Sequence, residues 1–500
     1  MSEIIVGKYT LETLTSGMYA DPYAVYREYI QNAVDSIDAA DELEVISRKD
    51  ANIEIYISHA DSQVIIKDNG LGIPCQETEK TLISIGNSRK TSDKSRGFRG
   101  IGRLSALSYC DKLTFCTSYP GEECGTRVIV DAKLLAELLA DSNSSDVTVS
   151  EVLKKSYKIE TFNEKKERHY FTVKMEGVGE QTGLTSYEDV AEYLSQSAPA
   201  PYNPQFIWGK EIVRRLEKEG YEIKSYNIDL KYGLETTKIY KPYRDEFLVD
   251  KGKNLIDRIQ DIEIIGIKQP DGSVSALGWV AKTNYLGSIY DKTVKGIRLR
   301  KGNILIGDLQ TLNATFRDAR FNGWTIGEIF AVDTQLIPNA RRDNFEKNTA
   351  YFMLFEQLTA ISASIVKEIR AASLKRNSEL SRVMEQVEST SRAASEAILT
   401  GVTSQRKGAL AHELKSAQEQ MSGTRVNSEY DESCQAIAFE DLDMLIGKLK
   451  GATSYKALNT IEKITNTEKK ILERVFNVIN EKKFENSAEV IEAILDNFAG

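Results

Sequence analysis

The spacing of apolar and polar positions divides the chain into three textures. Up to about residue 190, β-branched runs alternate with polar positions at 53–57, 64–67, 112–117 and 127–130, which predicts short strands mixed with helices. A polar stretch rich in Lys and Glu, 150–168, predicts a loop or insertion, with a strand expected over 170–175. From Pro199 to about Glu346 a second α+β unit is expected, with strands at 263–267, 275–283 and 296–306 and a helix at 212–220. Beyond Asn348 the strand signal fades, and residues 350–420 and 440–498 predict helices. Phe355, Leu358, Ile361, Ile365, Ile369, Leu374, Leu380 and Val383 recur mostly at three- and four-residue steps. That is the pattern of a packed helix pair or short coiled coil and predicts a homodimer, with a monomeric helical bundle as the alternative. The expected fold class is therefore α+β, with domains at 1–190, 199–347 and 350–500.

Composition changes this picture little. The chain has 500 residues, 41% hydrophobic and 28% charged, enough for several folded units. A formal net charge of -9 gives no global electrostatic reason to seek nucleic acid. The five cysteines, Cys75, Cys110, Cys116, Cys124 and Cys434, form no C-x-x-C pair, and their odd number predicts reduced thiols and a cytoplasmic location. The N-terminus lacks a basic-then-apolar signal layout, and no stretch approaches the roughly 18 uninterrupted apolar residues of a membrane span, so no membrane partner is expected. His59, His169 and His412 are too scattered to predict a zinc cluster, and no Gly-x-Ser-x-Gly elbow is present.

Three segments carry candidate chemistry. In the first, Asp21-Pro22 starts a helix on which Glu28, Asn32, Asp35 and Ser36 form one polar stripe, opposite Ile30, Val34 and Ile37. By itself such a stripe is most often a solvated face. The second is Asp68-Asn69-Gly70-Leu71-Gly72-Ile73, an acidic residue at a strand end followed by a glycine turn. It reads as a hairpin turn, or as a carboxylate that accepts from an exocyclic amine beside glycines that admit a flat base. In the third, Gly97-Phe98-Arg99-Gly100-Ile101-Gly102 precedes a helix-like run, a layout that brings backbone N–H groups to phosphates; both the P-loop and the dinucleotide fingerprint are missing.

In order and spacing these segments resemble the N, G1 and G2 boxes of the gyrase, heat-shock protein 90, histidine kinase and MutL (GHKL) ATPases. Gly97-Phe98-Arg99-Gly100 is similar to the MutL motif, and Glu-x-x-x-Asn at Glu28 and Asn32 is similar to both MutL and the heat-shock protein 90 chaperones. The resemblance covers residues 1 to about 190 with motifs and continues loosely to about 346. It implies a Bergerat α/β sandwich followed by a transducer-like middle domain, with ATP and Mg2+ as cofactors. Carried over, Glu28 is the general base and Asn32 the Mg2+ ligand, with Asp35 beside them. Asp68 reads adenine, Gly70, Gly72 and Ile73 line the base, and Ser88 follows that box. Gly97, Phe98, Arg99, Gly100, Ile101 and Gly102 form a phosphate lid. The last family element, a Gly-Thr, has two candidates here: Thr126, which fits by letters, and Thr172, favoured by its place in a strand. The 336–346 stretch is similar to the heat-shock protein 90 segment whose Arg reaches the γ-phosphate, which assigns that role to Arg342, with Arg341 as rival and Lys301 as a weaker candidate.

The implied protein is an ATP-hydrolysing switch with clamp-like dimer closure. Chaperone-like action on a protein client or partner subunit is the first reading, and DNA binding is not favoured. A MutL- or MORC-like DNA clamp and a sensor ATPase of a bacterial antiviral defence system are the alternatives. The histidine-kinase branch needs a phosphoacceptor helix before the ATP domain, and the topoisomerase branch needs a cleavage tyrosine; neither context is seen.

Overall fold

A computed structural model describes residues 21–83, 102–141, 148–250, 254–376, 378–400, 404–424, 429–451, 464–482, 490–491 and 493–494. The chain divides into two compact units, Met1–Asn284 with Ser288–Ala363, and Tyr285–Gly287 with Ser364–Gly500.

The first unit contains two sheets, and the expected α+β architecture is the one observed. Strands β1 (Asn52–Ser58), β2 (Gln63–Asp68), β3 (Lys112–Ser118), β4 (Cys124–Asp131), β5 (Tyr157–Asn163), β6 (Tyr170–Glu176), β7 (Asn227–Tyr232) and β8 (Glu235–Lys238) form the larger sheet in the order β5-β4-β3-β6-β2-β1-β7-β8. It is antiparallel throughout except that β1 runs parallel to β7. Alternation in β1 and β2 (Gln63–Asp68) places Ile55 opposite Ile66 and Ile57 opposite Val64, with all four side chains buried. The opening helix, Ala24–Glu42, contributes Val25, Ile30, Val34 and Ile37 to the same core. Burying each such side chain stabilises the fold by about 1.5–3 kcal/mol. The register ends with Asp68 opposite Ile53, which leaves a carboxylate on the apolar face at the strand end.

Two expectations are corrected. Most of the 150–168 stretch is regular: Val149–Ser156 is a helix opened by a Thr148–Glu151 capping box and β5 (Tyr157–Asn163) is the sheet's edge strand, while 164–168 is the loop expected. Nor does a boundary near Pro199 separate the two sheets, because β7 and β8 (Glu235–Lys238) return to the first one. Parallel pairing with β1 supplies hydrogen bonds that no local sequence signal announces.

Strands β9 (Glu246–Asp250), β10 (Leu255–Lys268), β11 (Val274–Thr283), β12 (Gly296–Lys301), β13 (Ile304–Ile306) and β14 (Ile326–Ala331) form the six-stranded sheet in the order β13-β12-β14-β11-β10-β9. The 296–306 stretch is a hairpin, β12 (Gly296–Lys301) and β13 (Ile304–Ile306), turned at Gly302 and Asn303, both with positive φ. A buried charge cluster links segments of this unit. Glu328 on β14 (Ile326–Ala331) accepts from Lys241 Nζ at 2.8 and 2.9 Å, from Arg300, from Tyr202 and from Trp279. Arg300 also donates to the Gln196 carbonyl at 2.8 Å, near the end of the helix Tyr187–Ser197.

In the second unit, Ser378–Thr400, Ser404–Gly423 and Glu429–Gly451 pack through Val387, Ala394, Leu410, Leu414, Leu442 and Ile446. The 352–384 periodicity falls largely on the helix Thr349–Arg376, within which the chain passes from one unit to the other. Thr349–Ser373 has the length and composition of a membrane span at a mean hydropathy of 1.2, but Leu354, Leu358, Ile365 and Ile369 on it are buried.

Candidate functional site

The opening helix is buried on its polar stripe as well as its apolar one. Glu28 is 6% exposed, Asp35 is 9% exposed, and Asn32 is half-buried one turn beyond Glu28. Gly102, at the start of the short helix Gly102–Ser108, explains part of this: a Cβ there would lie 2.2 Å from Glu28 Oε2, so only glycine lets the chain pass the carboxylate this closely. Tyr29 donates to the Arg103 carbonyl at 2.8 Å, fixing that short helix to the opening one. Arg103 in turn donates through Nε to the Leu82 carbonyl at 3.0 Å, and burial pulls its guanidinium down to about 10. Ser88, Gly97, Phe98, Arg99, Gly100 and Ile101 lie outside the described residues.

The Asp68 turn is held from both sides. Gly70 N–H donates to Asp68 Oδ1 at 2.9 Å, Leu71 N–H to the Ser36 carbonyl at 3.1 Å, and Gly72 N–H to Ser36 Oγ at 3.3 Å. Ile73 N–H donates to Thr117 Oγ1 at 2.8 Å, and that hydroxyl donates to the Tyr170 carbonyl at 3.1 Å. Gly72 has φ +73°, and a Cβ on it would meet the Ser118 carbonyl at 2.0 Å, so glycine is required there on both counts. One side of the His169 ring lies 2.8 Å from the Gly70 carbonyl. Asp68 itself is 3% exposed, a buried carboxylate whose Oδ1 accepts from Gly70 N–H and which can accept from an exocyclic amine.

The Thr172 assignment is corrected by register. On β6 (Tyr170–Glu176), Phe171 lies opposite Asp68 and Thr172 opposite Lys67, so Thr172 belongs to the other face of the sheet. On β3 (Lys112–Ser118), Thr117 lies opposite Phe171 and therefore shares the face of Asp68. Thr126, opposite Thr117 on β4 (Cys124–Asp131), is on that face too, but its hydroxyl donates to Cys75 Sγ at 3.3 Å. Sequence reasoning missed Thr117 because it carries no glycine; period-2 counting along Phe115 and Thr117 would have found it. The structure also pairs Cys75 with Cys124 in a disulfide, where reduced thiols were expected; Cys110, Cys116 and Cys434 remain thiols.

The three basic candidates separate. Arg342 Nε stands 3.2 Å from Glu28 Oε1, with both side chains about nine-tenths buried. Arg341 is exposed and offers its carbonyl to Arg27 Nη2 at 2.9 Å. Lys301 donates through its ammonium to the Asp333 and Val332 carbonyls at 2.6 and 3.4 Å. The geometry of Arg342 comes from a tight loop. Pro338 bridges Phe345, Asn339 N–H donates to the Asn344 carbonyl at 2.9 Å, and Arg342 takes φ +57°, a conformation costly for a residue with a Cβ. Gly307 N–H, donating to the Arg342 carbonyl at 2.8 Å, helps hold it there.

Residues 22–168 match the family described as histidine kinase-, DNA gyrase B-, and HSP90-like ATPase. Over these residues the chain is similar to the ATPase domains of that family, the GHKL superfamily. It is similar to the chaperone protein HtpG of Halalkalibacterium halodurans, 30% identical over 134 residues, which is 24% of this chain and 21% of that protein. It is also similar to the chaperone protein HtpG of Streptomyces coelicolor, 25% identical over 137 residues, which is 23% of this chain and 22% of that protein. The chain thus spans about a fifth of the length of the curated relatives it matches.

Proposed function

We propose that the chain is an ATP-hydrolysing, chaperone-like conformational switch that closes as a dimer and acts on a protein client or partner subunit in the cytoplasm. The observation that carries this reading is the contact between Glu28 on the nucleotide domain and Arg342 on the loop beyond the second sheet. Asp68 holds the base, and the Gly70 to Ile73 backbone sets its plane. Glu28 orients the attacking water and accepts its proton, a role worth about 10²- to 10⁴-fold in rate. Arg342 supplies positive charge where the transferring phosphoryl group gathers negative charge, which makes turnover depend on where the 338–345 loop sits. Mg2+ would be held by the amide oxygen of Asn32, a hard donor one helical turn from Glu28, and would neutralise phosphate charge. The similarity to HtpG supports the chaperone-like reading over a DNA clamp.

The test compares nucleotide binding, turnover and oligomeric mass of wild type, Glu28→Ala and Asp68→Asn, with and without duplex DNA. Glu28→Ala should bind ATP, lose turnover and accumulate as a dimer indifferent to DNA, and Asp68→Asn should lose binding. Equal loss of binding in both variants would undo the assignment, and DNA-stimulated hydrolysis would replace the chaperone-like reading with a clamp.

A further inference from the structure

Cys75 and Cys124 lie beside the base-lining turn, and nothing in the proposed hydrolytic chemistry uses them. Cys75 opens the helix Cys75–Ile83, two residues after Ile73, and Cys124 opens β4. Their disulfide closes a 49-residue separation and ties the end of the Asp68–Ile73 turn to the β3–β4 hairpin that carries Thr117. Hydrogen bonds also tie this corner: Ile73 N–H to Thr117 Oγ1 at 2.8 Å, Cys75 N–H to Glu122 Oε2 at 2.9 Å, and Thr126 Oγ1 to Cys75 Sγ at 3.3 Å. Both cysteines are half-buried, within reach of a small thiol, whereas Cys110 is buried and its thiol is pushed up to about 12 by that burial.

We propose that Cys75 and Cys124 form a thiol–disulfide modification site that sets the affinity of the nucleotide pocket. In the oxidised form the covalent tie pre-organises the backbone that lines the base, so less ordering remains to be done on binding. A dithiol reductant reverses it. Its thiolate attacks one sulfur, the Cys75–Cys124 bond breaks as a mixed disulfide forms, and the reductant's second thiol resolves it; two protein thiols and one oxidised dithiol result. Glu122 favours the oxidised form: its carboxylate is 3.9 Å from Cys124 Sγ and would repel a thiolate there, while a disulfide carries no charge.

This proposal rests on the reading of the pocket as a nucleotide site. The experiment measures the Kd for ADP by calorimetry on the full chain, first oxidised with glutathione disulfide and desalted, then reduced with dithiothreitol, then reoxidised. Peptide mass mapping of the 75–124 link accompanies each state. Reduction should weaken ADP binding by about three- to tenfold, in line with a lost pre-organising tie, and reoxidation should restore it. The Cys75→Ser/Cys124→Ser protein should bind like the reduced form and ignore dithiothreitol, and Cys116→Ser should behave as wild type. Equal Kd values in linked and unlinked wild-type protein overturn the switch alone, and so does a dithiothreitol effect that persists in the double variant. The two sulfurs and the Glu122 carboxylate lie within 4.8 Å of one another, so reduced protein that retains zinc through both cysteines, with no change in Kd, would make this a metal site instead. Failure of every form to bind ADP would overturn the ATPase reading itself, and the switch with it.

Discussion

Arg342 Nε and Glu28 Oε1 are 3.2 Å apart, a contact between a cation on the 338–345 loop and the carboxylate assigned to activate water. Arg341, one residue earlier, differs in kind: its contact to the nucleotide domain runs through its backbone carbonyl, which survives truncation of the side chain. Arg342→Ala should therefore lower ATP turnover by about 10²-fold or more while nucleotide affinity holds, and Arg341→Ala should stay close to wild type. Steady-state ATPase assays with a parallel binding titration decide this, and equal losses in the two variants would remove the distinction.

Gly102 makes a sharper demand. A methyl group there would sit 2.2 Å from Glu28 Oε2, well inside contact distance, and neither helix can retreat easily with Tyr29 bonded to the Arg103 carbonyl. In Gly102→Ala the carboxylate is the group that moves. A displacement near 1 Å at a catalytic group costs on the order of 10²-fold, so kcat should fall by about that factor while the ADP Kd changes little. Unchanged kcat would show that Glu28 need not occupy its observed position.

Strand register gives a paired prediction on the base side. Thr117→Val removes the hydroxyl that accepts from Ile73 N–H and donates to the Tyr170 carbonyl, leaving two polar groups at the turn without that partner. An unsatisfied group costs roughly 1–3 kcal/mol, so nucleotide affinity should fall by about tenfold. Thr172→Val alters the far face of the sheet and should leave affinity unchanged. A binding titration in which Thr172→Val was the damaging change would contradict the register argument.

How much of this was legible in the sequence depends on how local each signal was. Glu28 and Asn32 lie on one helix and Asp68 ends one strand with its glycine turn directly after it, so the helix and strand periods could be counted directly. Thr117 needed the pairing of β3 with β6, and the return of β7 beside β1 needed a partner far away in the chain. The Cys75–Cys124 bridge was hidden for the same reason, since counting cysteines says nothing about which strand ends meet. Arg342 was separable from Arg341 only once the loop closed, because the left-handed residue at position 342 decides which of two adjacent side chains meets Glu28.

The Glu328 cluster carries a pH prediction of defined sign. Burial alone would raise its carboxyl, but Arg300 and Lys241 outweigh burial and hold it at about 2. The unfolded value is about 4.3. A carboxyl depressed in the folded state contributes stability that is fully present above the unfolded value and is lost as pH falls through the folded one, here between about pH 4.3 and 2. Lys241 is lowered to about 7 by burial and by Arg300, so it is protonated in both states throughout that acid window and adds no slope there. Glu328→Gln leaves Lys241 and Arg300 buried without their counter-ion and should cost about 3–5 kcal/mol at neutral pH. The difference from wild type in urea denaturation should then narrow as pH approaches 2. A variant destabilised equally at pH 7 and pH 2.5 would mean that the carboxylate's charge does not stabilise the second sheet, and that the side chain matters there only for its shape.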